Sequence, residues 1–526
     1  MKKLVLVFLL LLTACAPKQP TTNRKTIAEL QVLLKGYTAD AFAQDVSTAY
    51  SLFPIAFADS NNDSKGDLQG VISKLDYLND NNPATATDLG IDAVWFNPIY
   101  PSDTYHKYDI KNYKDIDPTF GTLDDFKALV AGMHERGIKI ILDMVFNHTA
   151  LNHPWFQQGI AGTKPYDKYY MIFTKRDATL YTKSSAWYGI NSRIYYAGFW
   201  SGMPDLNAEN EAVRAELRSV IDFWMDLGVD GFRFDAAPWV YSVDEYPIGT
   251  NVLEKNQQFW MEMKEYIKSK GKNTYMVGEV WLGAQQAANY ASGFDSVFNF
   301  DLALGLLNAV NDGSSTNFLS QYLNGMKIYD MKTDNYLDAI FLSNHDQNRV
   351  MSVLSGDIDK AKLAANILFT LPGIPYVYYG EELGMMGQKP DENIREPFVW
   401  TTGTNPPMAD WEVSKYNKDT PTYEQQVNDP NSMFNMYRTL IALRKNSEIL
   451  RYGDLKSLDI ISYKLIGFSR SYNGKTWIIL HNIALRDQQT FTLPSASAIV
   501  YQHKDVTLDG LKVTLGPQSS VIFEVN

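Results

Sequence analysis

The chain has 526 residues, 45% of them hydrophobic, enough for one large barrel plus a further domain. Its net charge of −12 excludes a nucleic-acid partner held by a basic surface. A single cysteine excludes an internal disulfide framework, and the 13% aromatic content suits sugar rings as well as a core, so composition names no substrate.

Lys2 and Lys3 precede an apolar run over 4–12, followed by Leu12-Thr13-Ala14-Cys15. The run is too short to span a bilayer as a stable helix and reads as a signal peptide. It resembles a bacterial lipoprotein signal, whose closing cysteine becomes lipidated. Residues 1–15 are therefore expected to export the protein and anchor it through Cys15 to a bacterial cell membrane or outer membrane. Residues 16–26, rich in Pro, Gln, Thr and Lys, read as a tether. The N-terminal extension runs to 49, and whether it holds a helix the pattern leaves open.

From about 50 to 445 strand-like and helix-like runs alternate, which predicts a parallel sheet wrapped by helices. Residues 51–58 are predicted as the first strand, 68–79 as the first helix and 91–96 as the second strand. Residues 123–136 are amphipathic, Gly137 is placed to stop them, and a third strand follows over 139–145. The rhythm breaks over 150–207, a stretch rich in Tyr, Gly, Lys and Trp. A long irregular segment within a compact domain is usually functional, so it reads as an insertion packed over the active face. A helix over 211–227 leads to the fourth strand. Glu279 ends the fifth, 296–300 lies near the sixth, 340–342 in the seventh and 373–379 in the eighth. From about 450 short alternating runs, such as 476–481 and 514–524, predict a small antiparallel β domain. The predicted fold class is α/β: a (β/α)8 TIM barrel in two parts, 50–149 and 208–447. An inserted domain over 150–207 follows strand 3, and a C-terminal antiparallel β-sandwich domain covers 448–526.

Four motifs close apolar runs: Asp143-Met144-Val145-Phe146-Asn147-His148, Gly231-Phe232-Arg233-Phe234-Asp235, Gly278-Glu279-Val280-Trp281 and Ser343-Asn344-His345-Asp346. Strand ends in such a barrel converge on one face, so these residues are predicted to share a pocket. Carboxylates in one cleft suggest glycoside hydrolysis, which needs an acid and a nucleophile or base flanking an oxocarbenium-like centre. Arg233 lies two residues before Asp235 and points to the same side of a strand, where its charge is expected to keep Asp235 ionised.

These motifs resemble those of the α-amylase family, glycoside hydrolase family 13. Trp95-Phe96-Asn97-Pro98, Met203-Pro204-Asp205-Leu206-Asn207 and Gly373-Ile374-Pro375 resemble further family motifs in the family's order. The resemblance extends to bacterial lipoprotein α-amylases of the group between oligo-1,6-glucosidases and neopullulanases. It implies Asp235 as nucleophile, Glu279 as general acid and then base, and Asp346 as transition-state stabiliser. Glu279 must start protonated, so its pKa is expected to be raised. The resemblance places His148 and His345 on sugar hydroxyls and Tyr108 under the sugar ring, although the family often has Gly where Lys107 stands. Asp143 is expected to position Arg233 and the pocket, and Arg349 and Arg395 to line the cleft. Pro238 and Trp239 stand where many α-amylases have Lys-His, which puts the acceptor side and a second calcium in doubt. Trp239 offers a stacking face instead. Asn147 reads as structural or as a metal ligand.

Asp59-Ser60-Asn61-Asn62-Asp63-Ser64-Lys65-Gly66-Asp67 offers oxygens at alternate positions, a pattern that suits calcium. Ser64 and Gly70 replace the glycine and the bidentate glutamate an EF-hand requires, which excludes that motif. The segment resembles a calcium loop of several family members, in which Asp59, Asn61, Asp63, Asp67 and the Lys65 carbonyl would bind a structural Ca²⁺. The expected enzyme is a monomeric, retaining, endo-acting α-amylase on α-1,4-linked glucans. The alternatives are an α-glucosidase or oligo-1,6-glucosidase, a neopullulanase-like enzyme or a transglycosylase. A non-catalytic glucan-binding lipoprotein, the reading from another class, should have lost a catalytic carboxylate, and all three are present.

Overall fold

The computed structural model describes residues 24–37, 40–176, 184–247, 249–271, 273–334, 336–403 and 407–525. The leader, Cys15 and most of the tether lie outside the described residues. Among those described, no helix is long and apolar enough to cross a membrane.

Eight parallel strands form the central sheet: Ala49–Leu52, Ala93–Phe96, Lys139–Met144, Gly231–Phe234, Tyr275–Gly278, Ser296–Val297, Ala339–Phe341 and Ile374–Tyr378. The first pairs with the eighth, and a parallel bridge from Phe298 to Ala339 joins the sixth to the seventh, closing a barrel. The side-chain period of two separates two cores. Ala93, Trp95, Ile141, Val277, Phe341 and Tyr376 share the inner cluster. Their neighbours Val94, Phe96, Ile140, Leu142 and Val377 pack with helix residues such as Leu129, Val220 and Ile367. Strands buried on both faces read as continuous apolar runs, which is why the sequence shows them without alternation.

Three predicted elements differ. The first strand stops at Leu52, because Pro54 opens a helical turn, Pro54–Phe57, at a position where its fixed φ suits a helix start. The run over 68–79 is two pieces, Leu68–Ser73 and Leu75–Leu78, the first capped by Asp67 accepting from the Gly70 N–H at 2.6 Å. The run over 514–524 splits into Lys512–Leu515 and Ser519–Val525, with Gln518 at φ +53 turning the chain between two sheets.

The extension contains two helices, Ile27–Leu34 and Asp40–Asp45. Leu30 and Leu34 pack on Met261, and Phe42 stacks on Tyr275 with ring centroids 4.0 Å apart. Tyr275 begins the fifth strand, so Phe42 covers the end of the barrel opposite the strand termini that carry the motifs. Within the insertion a three-stranded antiparallel sheet is built from Ile172–Thr174, Trp187–Ile190 and Arg193–Tyr196. The C-terminal domain has a five-stranded and a three-stranded sheet, with Leu465, Leu480, Val513, Leu515 and Phe523 in one core cluster.

Two buried arginines brace the chain through backbone carbonyls, Arg470 joining this domain to the barrel and Arg444 tying barrel segments to one another. Arg470 donates to the carbonyls of Thr370, Gly453 and Leu450 at 2.8, 3.0 and 2.9 Å. Arg444 donates to those of Phe369, Leu371 and Ser47 at 2.8, 2.9 and 3.2 Å, and to that of Gly373. Each buried acceptor left unpaired costs about 1–3 kcal/mol. Arg444→Met should therefore lower the unfolding free energy by about 3 kcal/mol or more, read as an earlier urea midpoint. An unchanged midpoint would show that these carbonyls find other donors.

Candidate active site

The strand ends bring the motif residues together around Arg233, which is fully buried. Its Nη1 lies 2.8 Å from an oxygen of Asp143 and 2.8 Å from one of Asp235, and its Nη2 lies 2.9 Å from Glu279. Its guanidinium carbon stands 5.0 Å from the ring centroid of Trp95, whose Nε1 donates to Asp143 at 3.2 Å. The Tyr108 hydroxyl donates to Asp143 at 3.1 Å and sits 2.7 Å from His345 Nε2, with the two rings parallel. Asp346 pairs with His345 at 3.0 Å and with Arg395 at 2.9 Å. Immediately after Asp235 the chain turns through Ala236 at φ +45, and the Ala236 N–H donates to Glu279 at 3.1 Å.

A cleft of about 510 Å³ opens over these groups. Tyr108, His148, Asp235, Trp239, Glu279, Asp346 and Arg395 line it. Asp143, Arg233 and His345 do not reach it; they stand behind its wall, fixing the residues that do. Arg349 is a correction. It is 2% exposed and donates to the carbonyls of Ile394 and Tyr379, so it lies beneath the loops rather than in the cleft. His106, Phe199, Trp281, Lys389 and Asp391 also line the cleft. Trp281 closes the Gly278–Trp281 motif, so position within a motif was the signal for it; His106 stands two residues before Tyr108. Phe199 sits in the aperiodic insertion, and Lys389 and Asp391 in a loop with no pattern.

The insertion reaches the site through its own motif. Leu206 N–H donates to the Asn147 carbonyl and Thr149 N–H to that of Pro204, so residues 204–206 pair with the chain leaving the third strand. Phe199 and Trp239 meet edge to face at 6.3 Å. Lys107 holds φ +64, which explains a preference for glycine there, and its amine pairs with buried Asp117 at 2.8 Å.

Burial pushes the carboxyls of Asp235 and Glu279 up; Arg233 opposes both rises, and Asp346 adds to them. Arg233 was expected to keep Asp235 ionised; the cation limits the rise that burial causes without reversing it, helped by a hydrogen bond from Glu279. Asp346 goes the other way. Burial would raise it, but His345, Arg395 and Arg233 together hold it well below the usual carboxylate range. Burial lowers both histidines, His148 to about 4, so both rings are neutral near pH 7.

In the 59–67 loop Asp59 accepts from the N–H groups of Asn61, Asn62 and Ser64 at 2.9, 2.8 and 2.8 Å, curling the chain around its carboxylate. Ser64 adopts φ +72, the left-handed conformation for which an EF-hand uses glycine. A Cβ on Gly66 would lie 2.0 Å from the Pro54 carbonyl, so only glycine fits there. Among the described residues no three His, Cys, Asp or Glu side chains form a metal cage. The loop's donors are mixed, three Asp with the Asn61 amide and the Lys65 carbonyl, and this hard-oxygen set fits Ca²⁺ in its chemistry. At the junction with the insertion, Asn147 turns its amide N–H to the Trp239 carbonyl and to Asp205.

Residues 51–453 match the family profile for the α-amylase catalytic domain. The chain belongs to the α-amylase family. It is 38% identical to Alpha-amylase 3 of Dictyoglomus thermophilum, covering 90% of this chain and 92% of that protein. It is 29% identical to an oligo-1,6-glucosidase of Parageobacillus thermoglucosidasius, over 89% and 94% of the two chains. The crystal structure of an α-amylase from H. orenii superposes with a TM-score of 0.84 at 35% identity, covering 92% of this chain and all of that one. Membership makes the protein a glycoside hydrolase acting on α-glucans.

The His148 environment gives a pH prediction. The unfolded chain protonates this ring near 6.5 and the folded one near 4. Across that window the unfolded state binds the extra proton, so His148 withdraws stability as pH falls from 6.5 to about 4 and adds no slope below. An NMR titration of the ring should show a midpoint near 4; a midpoint near 6.5 would contradict its burial.

Proposed function

We propose that this family member is a retaining, endo-acting α-amylase that cuts α-1,4 bonds in starch-like glucans and maltooligosaccharides. The observation that carries the reading is the single guanidinium of Arg233 holding both Asp235 and Glu279. Carboxyls that share one guanidinium are close neighbours, which favours the roughly 5–5.5 Å spacing of retaining enzymes over the roughly 6.5–9.5 Å of inverting ones. In this reading Asp235 attacks the anomeric carbon while Glu279 gives its proton to the departing glycosidic oxygen. The carbon–oxygen bond breaks and a covalent glycosyl-enzyme forms. Glu279, now ionised, takes a proton from water, which displaces Asp235. Asp346, kept ionised by Arg395, holds sugar hydroxyls and offsets positive charge at the ring.

Endo action is supported by the wall beside Glu279. Phe199, Trp239 and Trp281 are 52%, 50% and 51% exposed, offering stacking faces to more than one sugar on the leaving-group side. The opposite wall supports a second reading, an exo-acting α-glucosidase or oligo-1,6-glucosidase. There Lys389, Asp391 and Arg395 form a chain of ion pairs that would restrict a polymer. A time course separates the two. Soluble starch should lose iodine colour early and yield mixed maltooligosaccharides, with isomaltose left intact. Early glucose or cleaved isomaltose would move the assignment to the second reading. Glu279→Gln should lower turnover by about 10²–10⁴-fold while glucan binding persists; near-normal activity would overturn the role given to Glu279.

The 59–67 loop is proposed as a structural Ca²⁺ site held by Asp59, Asn61, Asp63, Asp67 and the Lys65 carbonyl, where the ion would stabilise the loop and take no chemical step. An ion bound only by the folded state raises stability by mass action. EGTA should therefore lower the melting temperature, and Asp59→Ala should remove the response; a melting temperature indifferent to calcium would refute the site. Export with lipid anchoring at Cys15 completes the reading, supported by the leader sequence and by a polymeric substrate.

A further inference from the structure

We propose that Arg349 is a positioning residue for the cleft, fixing the loop that carries Arg395 against the loop that carries Asp346. The inference rests on the glycosidase reading above.

Asp346 and Arg349 belong to one compact turn, in which Ser343 Oγ donates to the Asn348 carbonyl at 3.0 Å and Gln347 N–H to that of Asn344 at 3.2 Å. From this turn Arg349 reaches into the loop after the eighth strand. Its Nε donates to the Ile394 carbonyl at 2.9 Å and its Nη1 to the Tyr379 carbonyl at 2.7 Å. Its backbone N–H donates to Gly387 at 3.0 Å, and its guanidinium lies over the rings of Tyr378 and Tyr379 at 4.5 and 4.6 Å.

Arg395 makes the opposite crossing. From the residue after Ile394, its Nε donates to the His345 carbonyl at 2.9 Å and its Nη2 to Asp346 at 2.9 Å. Each loop thus sends one arginine into the other. One crossing is buried and makes no contact with the cleft; the other ends on a carboxylate within it. The Ile394 carbonyl, which Arg349 shares with the Tyr378 hydroxyl at 3.0 Å, is the point where the first crossing sets the second. Only a planar fork reaches two carbonyls at fixed spacing while stacked on aromatic rings, so lysine preserves the charge and loses the geometry.

A double-mutant cycle tests this. Arg349→Lys should lower kcat/KM on a maltooligosaccharide by about 10–100-fold, since a small misplacement of a cleft group is that costly. If Arg349 acts through Arg395, the change should add less than about twofold in an Arg395→Met background. Losses that multiply would overturn the proposal. Crystal structures read the same point without activity. In Arg349→Lys the 2.9 Å contact between Arg395 and Asp346 should be lost, and an intact contact would equally overturn the proposal. Arg349→Gln, which keeps a planar end group but loses the second donor arm and the charge, takes the place of Arg349→Lys in both experiments should that variant not fold. A wild-type enzyme inactive on glucans would instead refute the glycosidase reading, leaving the crystallographic comparison to decide the role of Arg349.

Discussion

A fully buried guanidinium needs counter-charge, because moving an ion out of water costs several kcal/mol even after relaxation. Arg233 meets that need with Asp143, Asp235 and Glu279 at once. One cation among three carboxyls leaves two excess negative charges if all three ionise, so burial favours keeping protons within the cluster. Burial raises Glu279, and Asp235 and Asp346 add to the rise; burial also pushes Asp143 up to about 8, although both its oxygens lie within 2.9 Å of Arg233 and it accepts from Trp95 and Tyr108. Burial around one shared cation thus favours a protonated carboxyl beside the cleft, the state the proposed acid Glu279 needs.

The barrel makes this arrangement possible. Asp143, Arg233 and Glu279 come from three successive parallel strands, and the register pairs Asp143 directly with Arg233. Asp346 comes from across the barrel and is set apart electrostatically. Its partners are Arg395 and His345, which hold its pKa down while burial raises that of Glu279. The cation each carboxyl touches sets Asp346, held down by Arg395, apart from Asp235 and Glu279, which share Arg233 and are raised by burial.

The catalytic motifs were legible because barrel chemistry sits where apolar strands end, and that boundary is visible in a sequence. Asp235 and Glu279 each follow a run of residues buried on both faces. Tyr108 was named through its family context, and its hydroxyl donates to Asp143. Arg349 was misplaced for a physical reason: three residues after Asp346, a turn at 343–349 sends its side chain under the loops, and a turn has no periodicity to reveal direction. Phe199, Lys389 and Asp391 left no signal because loops and insertions are shaped by tertiary contacts. The first strand was overextended because Pro54 continues an apolar run while forcing a helical turn.

The unread residues are those that distinguish one family member from another. In the proposed reading the acid, nucleophile and stabiliser follow from the barrel and would be the same for any α-glucosidic bond. What a chain may extend into is decided by Phe199 and Trp239 on one wall and by Lys389, Asp391 and Arg395 on the other. The aromatic wall is coupled to the chemistry through the 236–239 turn, whose first N–H donates to Glu279 and whose Trp239 carbonyl accepts from Asn147. The charged wall is coupled through Arg395 to Asp346. A change to either wall therefore reaches the reacting groups through one or two hydrogen bonds, so specificity and turnover in this enzyme should shift together.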